Sequence, residues 1–222
     1  MASPSVKPLA VRVWDLPTRV FHWLLVVCVA GSLVSAQLGG EAMRWHFRFG
    51  YFALSLLLFR IFWGFMGGIH SRFSAIFRLR RGQVLSASPL AGGHSLQGWL
   101  SVLSMLAGLL LQIASGLVSD DEIASAGPFT HMVSAALVES ATYYHTQMGK
   151  LVVIFLISLH LLAILFYFAI RRQNLISAMI SGDKKLSAPS TASVDSFPRR
   201  MLALLIFALI FLLLLFGLRY SS

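Results

Sequence analysis

Long apolar runs broken by short polar stretches set the pattern of this chain. Leu151 to Ile170 is a run of 20 residues without a charge, with Ser158 and His160 as its most polar members. A helix of about 20 apolar residues spans a bilayer. Similar runs predict spans over 20–38, from about His46 to Gly67, from Gly98 to Val118, from His145 to the residue before Arg171, and from Met201 to Leu218. The fold class expected is an all-α integral membrane protein: a four-helix transmembrane bundle plus a fifth C-terminal helix. Its divisions are a 1–19 N-terminal tail, a 20–181 core, a flexible 182–200 linker rich in Ser, Pro and Lys/Arg, and the 201–218 helix. Val34-Ser35-Ala36 has the form of a signal-peptidase site. His22 and Trp23 interrupt the start of that run, and a tail with Trp14-Asp15 and three prolines makes a poor n-region, so the segment reads as a retained span.

Composition agrees. The 222 residues are 57% hydrophobic and 12% charged, which excludes an ordinary soluble domain. The net charge of +10 does not point to nucleic acid, because the basic residues flank apolar runs and fill loops. Most of the 18 Lys and Arg lie in the N-terminal tail, the 68–94 loop and the 171–200 region, whereas the 119–144 loop has none and carries Asp120, Asp121, Glu122 and Glu139. The positive-inside rule puts the N-terminus in the cytoplasm and, with five spans, the C-terminus in the periplasm. Cys28 is the single cysteine, so there is neither a disulfide framework nor a C-x-x-C-H haem attachment.

Histidines within spans are the candidate chemistry, since an imidazole in the hydrocarbon layer is a functional candidate. His145 and His160 share a helix, roughly 22 Å apart along its axis and roughly 60° apart around it. Depth pairs His46 with His145 near the outer surface, and His22 with His160 nearer the inner one. Bis-histidine ligation fills both axial positions of a haem iron and favours electron transfer. Gly50 and Gly149 lie four residues after His46 and His145, on the same faces, where a missing side chain leaves room for a porphyrin edge. His94, with Gly98 four residues on, is a rival ligand, although a loop role is favoured for it. Arg19, Arg48 and Arg60 are cations placed for haem propionates, Arg60 within a span. His70 and His131 read as solvated loop residues. The bland alternative is that these histidines only bond helix to helix.

Several stretches together resemble the bacterial cytochrome b561 family, the group containing the cytochrome b subunit of nickel–iron hydrogenases. They are Val13 to Trp23 (VWDLPTRVFHW), His46 to Tyr51 (HFRFGY), Phe59 to Phe65 (FRIFWGF), His70-Ser71-Arg72-Phe73, Gly93 to Gly98 (GHSLQG), Gly116 to Asp121, Gly127-Pro128, and the His145 to His160 segment. The likeness covers about residues 11–184. It implies a diheme core exchanging electrons between membrane quinone or quinol and a redox partner, such as a periplasmic cytochrome or a dehydrogenase or hydrogenase. It also places His22, His46, His145 and His160 on ligand positions for two non-covalent haem b groups, in a bacterial inner membrane. One departure is that the family pair matching His145 and His160 is one residue closer, which shifts His145 around its helix. A self-contained superoxide:quinone oxidoreductase is the enzyme alternative, and a cofactor-free transporter or scaffold subunit is the alternative of another class. In the 119–144 loop, Phe129 to Val138 reads as a short amphipathic surface helix. Trp45, His131, Tyr143 and Tyr144 are candidates to hydrogen-bond a quinone head group.

Overall fold

The computed structural model describes residues 9–76, 93, 95–123, 125–186 and 190–221. A short strand β1 (Leu9–Arg12) leads into α1 (Leu16–Leu38). A 3-10 turn at Gly40–Ala42 joins α1 to α2 (Met43–Met66). Next come α3 (Leu96–Leu117) and α4 (Ala135–Tyr143), and α4 continues through a π-helical run, Tyr144–Gly149, into α5 (Lys150–Ala169). The chain closes with α6 (Leu175–Ser181), β2 (Asp183–Leu186) and α7 (Phe197–Ser221). Among the described residues, five helical segments are long and apolar enough to cross a membrane: Leu16–Leu38, Gly40–Met66, Leu96–Leu117, Ala135–Ala169 and Phe197–Leu218. The protein is an all-α multi-pass membrane protein.

The fourth segment departs from expectation. Phe129 to Val138 is not a separate surface helix. Thr130–Met132 forms a 3-10 turn, Ser134 caps α4 by accepting from the Leu137 N–H, and α4 then runs on into the span. An amphipathic pattern alone does not distinguish a surface helix from the first turns of a longer one.

Two compact bodies are distinguishable. The first comprises residues 1–22, 60–100 and 163–204; the second comprises 23–59, 101–162 and 205–222. In the first, Asp15 is a buried carboxylate with three donors. It caps α1 by accepting from the Thr18 N–H at 3.0 Å, and takes the Trp63 indole N–H at 3.1 Å and the Gly68 N–H at 2.7 Å. One side chain thereby fixes the start of α1 to the end of α2.

The described parts of the 182–200 stretch, residues 182–186 and 190–200, are tied to the chain by partners rather than free as a flexible linker. β2 pairs antiparallel with β1, from Leu9 opposite Leu186 to Arg12 opposite Asp183. Gly182 has a φ of +88°, and a Cβ there would lie 2.7 Å from the Trp14 carbonyl oxygen, whose residue donates its N–H to the Gly182 carbonyl. Ser193 is buried and donates from its hydroxyl to the Val13 carbonyl at 2.7 Å. Asp195 accepts from Arg12 at 3.0 Å and Arg200 at 2.8 Å, with Arg19 at 3.8 Å. The polar residues that suggested solvation find long-range partners instead. His70 is likewise buried, not solvated: its Nε2 donates to the Thr191 carbonyl at 2.7 Å.

In the second body, the last helix packs through aromatics. Phe207 and Phe211 stack one turn apart on α7, and Phe52 of α2 meets them edge-on at ring-centre distances of 5.5 and 5.6 Å. Such pairs add about 0.5–1.5 kcal/mol each beyond their buried area. Glycines permit two closer approaches. A Cβ on Gly31 of α1 would lie 2.5 Å from the Phe49 ring of α2, and one on Gly108 of α3 would lie 2.9 Å from Leu156 of α5.

Candidate functional site

His46 sits in the first turn of α2, and His145 in the π-helical run that opens the following span. Their ring centres are 6.0 Å apart, with the planes at 85°. The His46 Nδ1 lies 2.9 Å from the Ser32 carbonyl oxygen, and the His145 Nδ1 lies 2.7 Å from the Gln112 carbonyl oxygen. A carbonyl oxygen only accepts, so each Nδ1 carries its proton. In the neutral ring this leaves Nε2 as the lone-pair nitrogen. Such a bond to the far nitrogen is how ligating imidazoles are oriented.

His145 is held from several sides. The Gln112 amide donates to the His145 carbonyl at 2.9 Å, and the Ser115 hydroxyl lies 3.4 Å from Nδ1. The ring lies against Gly116, where a Cβ would come within 2.6 Å of its Cε1. Gly149 does not open space beside His145 for a porphyrin edge. A Cβ there would run into the Gln112 Oε1, so its missing side chain seats Gln112. A Cβ on Gly50 would meet nothing within 4 Å among the described residues.

Among the described residues, no three His, Cys, Asp or Glu side chains converge on one point. A bare ion such as structural zinc needs four protein ligands. Two imidazoles suit a metal that brings its other ligands with it. With Nδ1 engaged on both rings, Nε2 is the nitrogen that each would offer to such a metal. The His46 and His145 pair therefore fits a haem iron.

His22 lies on α1 and His160 on α5, both half-buried. Arg60 is buried near the end of α2. Its Nη2 donates to the Ser71 carbonyl at 3.0 Å, its guanidinium lies 5.3 Å from the Phe73 ring centre, and its Nη1 is buried with no hydrogen-bond partner among the described residues. A guanidinium with an open buried donor suits an added anion. Arg19 is engaged by the chain: it donates to the Ile180 carbonyl and lies 3.8 Å from Asp195. Arg48 is exposed and stacks over Trp45 at 4.9 Å. His94 lies outside the described residues. Of the quinone candidates, Trp45, His131 and Tyr143 are exposed, while Tyr144 is half-buried in the π-helical run beside Gly149.

Sequence reasoning missed Gln112, Gly116 and the Ser32 carbonyl. Gln112 left a signal, as the sole amide side chain between Gly98 and Val118 in an apolar helix. The Ser32 carbonyl left none, because any residue supplies one.

Comparisons with known proteins identify the family. The family model described as prokaryotic cytochrome b561 matches residues 13–182. A probable Ni/Fe-hydrogenase B-type cytochrome subunit of Bradyrhizobium diazoefficiens is 27% identical over 217 residues, covering 79% of this chain and 86% of that protein. No solved structure matches the chain. The match spans the first four membrane segments and every candidate histidine, and the chain belongs to the prokaryotic cytochrome b561 family.

Proposed function

We propose that this protein is a diheme b-type cytochrome that moves electrons between the quinone pool and a redox partner. The observation that supports it most is the His46 and His145 pair, two rings 6.0 Å apart with each Nδ1 turned to a backbone carbonyl. Haem supplies one-electron chemistry when bound. The chain's residues bind and orient it. His46 and His145 would hold one haem near the outer surface; His22 and His160 are the candidates to hold a second nearer the inner surface, on their sequence depths along the spans alone. With two histidines for each haem, the four side chains would hold it for electron transfer rather than for binding oxygen.

Other residues set charge and access. Arg60, whose Nη1 has no hydrogen-bond partner among the described residues, would take a propionate of the inner haem. Arg48, exposed on the same helix as His46, serves the outer haem, and Gly50 leaves room for the porphyrin edge. The N-terminus lies in the cytoplasm of a bacterial inner membrane and the C-terminus in the periplasm, which gives the strongly basic segments the inner side. The hydrogenase-subunit relative favours a hydrogenase or another dehydrogenase as the redox partner. Tyr143, Trp45 and His131, exposed at one end of the second body, are the quinone-facing candidates.

The test is reduction by a short-chain quinol in detergent, followed at the haem absorption bands. Full reduction of wild type and partial reduction of His46→Ala support the reading. A protein with normal haem content that no quinol or quinone oxidises or reduces removes quinone from it.

A further inference from the structure

Gln112 and His145 make two hydrogen bonds to each other. The His145 Nδ1–H donates to the Gln112 backbone carbonyl at 2.7 Å, and the Gln112 side-chain amide donates to the His145 backbone carbonyl at 2.9 Å. Two glycines one helical turn away seat the two side chains. Gly116, four residues after Gln112, accommodates the imidazole, and Gly149, four residues after His145, accommodates the amide. The pairs interlock, each glycine receiving the other helix's side chain.

His145 also stands within the π-helical run Tyr144–Gly149. A π turn closes its backbone bonds at i+5 and takes up one residue more than an α turn. The fifteen residues between His145 and His160 put their directions roughly 60° apart on a regular helix. One residue absorbed in the wider turn removes about 100°, leaving roughly 40° in the opposite sense. The run therefore changes which way His145 points, and Gln112 bonds to a carbonyl inside it.

We infer that Gln112 is the positioning residue of His145: it fixes the π-helical run and the tautomer of the ring, and so presents Nε2 as the metal-binding nitrogen. This rests on the reading of His145 as a haem ligand. Stability alone does not explain the residue. The Gln112 Oε1 is buried without a hydrogen-bond partner among the described residues, which is a cost, and an apolar side chain of similar size would relieve it. What an apolar replacement loses is the donor to the His145 carbonyl.

Full-length Gln112→Leu, purified in detergent, tests this against wild type and His145→Ala. The readouts are haem per chain, low-temperature electron paramagnetic resonance of the oxidised haems, and thermal unfolding. Loss of one such supporting partner costs a metal ligand about 10–100-fold in affinity. Expected for Gln112→Leu are weakened binding and an altered low-spin signal at the one haem that His145→Ala abolishes, an unchanged signal at the other, and an unfolding midpoint at or above wild type. Two unchanged haem signals in Gln112→Leu overturn the inference. If Gln112→Leu loses both haems, Gln112→Met, unbranched and without the donor, decides between the same two results. If His145→Ala itself keeps every haem, ligation by His145 fails, which is distinct from failure of the Gln112 inference.

Discussion

Replacing Asp15 with alanine should separate the start of α1 from the end of α2. The carboxylate is 1% exposed and accepts from Thr18, Trp63 and Gly68. Removing it strands donors that water cannot reach, at about 1–3 kcal/mol each, the cap bond contributing about 1. Because the three share one acceptor the losses are not additive, and a total of about 4 kcal/mol is expected. For a chain of this size 1 kcal/mol moves Tm by about 2–4 °C, so Asp15→Ala should lose on the order of 10 °C. Asp15→Asn keeps one acceptor oxygen of two and should lose about half of that. The assay is thermal unfolding of the detergent-solubilised full chain by circular dichroism. Equal midpoints for Asp15→Ala and wild type, or for Asp15→Ala and Asp15→Asn, would refute the account of Asp15 as a three-donor hub.

The remaining predictions concern pH and the candidate haem sites. Burial pushes the His70 pKa below its usual value, against the bond to Thr191 and together with Lys184. Protonation then favours the unfolded segment, so the contribution is complete above about pH 6.5 and is lost as pH falls below it. Limited proteolysis within 187–196 should quicken between pH 7.5 and 5, and His70→Gln should flatten that dependence. Burial raises the Asp195 pKa, but the hydrogen bond from Arg200, that from the Leu16 backbone and those from Arg12 outweigh it and leave it lowered. Its contribution is present above about pH 4 and disappears below, and Asp195→Asn should remove that slope from the unfolding midpoint. Gly116→Ala places a methyl against the His145 ring and should cost about 1–3 kcal/mol and one haem. Gly50→Ala meets no protein atom and should leave the Tm within about 1 °C of wild type while lowering haem content. Haem retention equal to wild type would remove Gly50 from the site.

The spans were legible because bilayer thickness imposes a length on apolar runs: all five appear, three of them within four residues of their expected bounds, while the second begins six residues early and the fourth ten residues early, at Ala135. The His46 and His145 pairing was legible because depth along a helix follows from residue number. What stayed hidden depends on partners far apart in sequence. The 182–200 stretch looks solvated until Arg12, Val13 and His70 are seen to bind it. Gly149 looks like room for a cofactor until Gln112 is found in it. The extra residue between His145 and His160 looked like a misdirected ligand, and a π-helical run was the unread alternative. Composition carries no signal for a single wider turn.

The central claim is two bis-histidine haems paired by depth, and haem per polypeptide by pyridine haemochrome on wild type and the four single alanine variants tests it most directly. The account predicts two b-type haems in wild type. His46→Ala and His145→Ala should each lose one and the same haem, and His22→Ala and His160→Ala the other. One haem or none in wild type, or loss of the same haem by His22→Ala and His145→Ala, would contradict it.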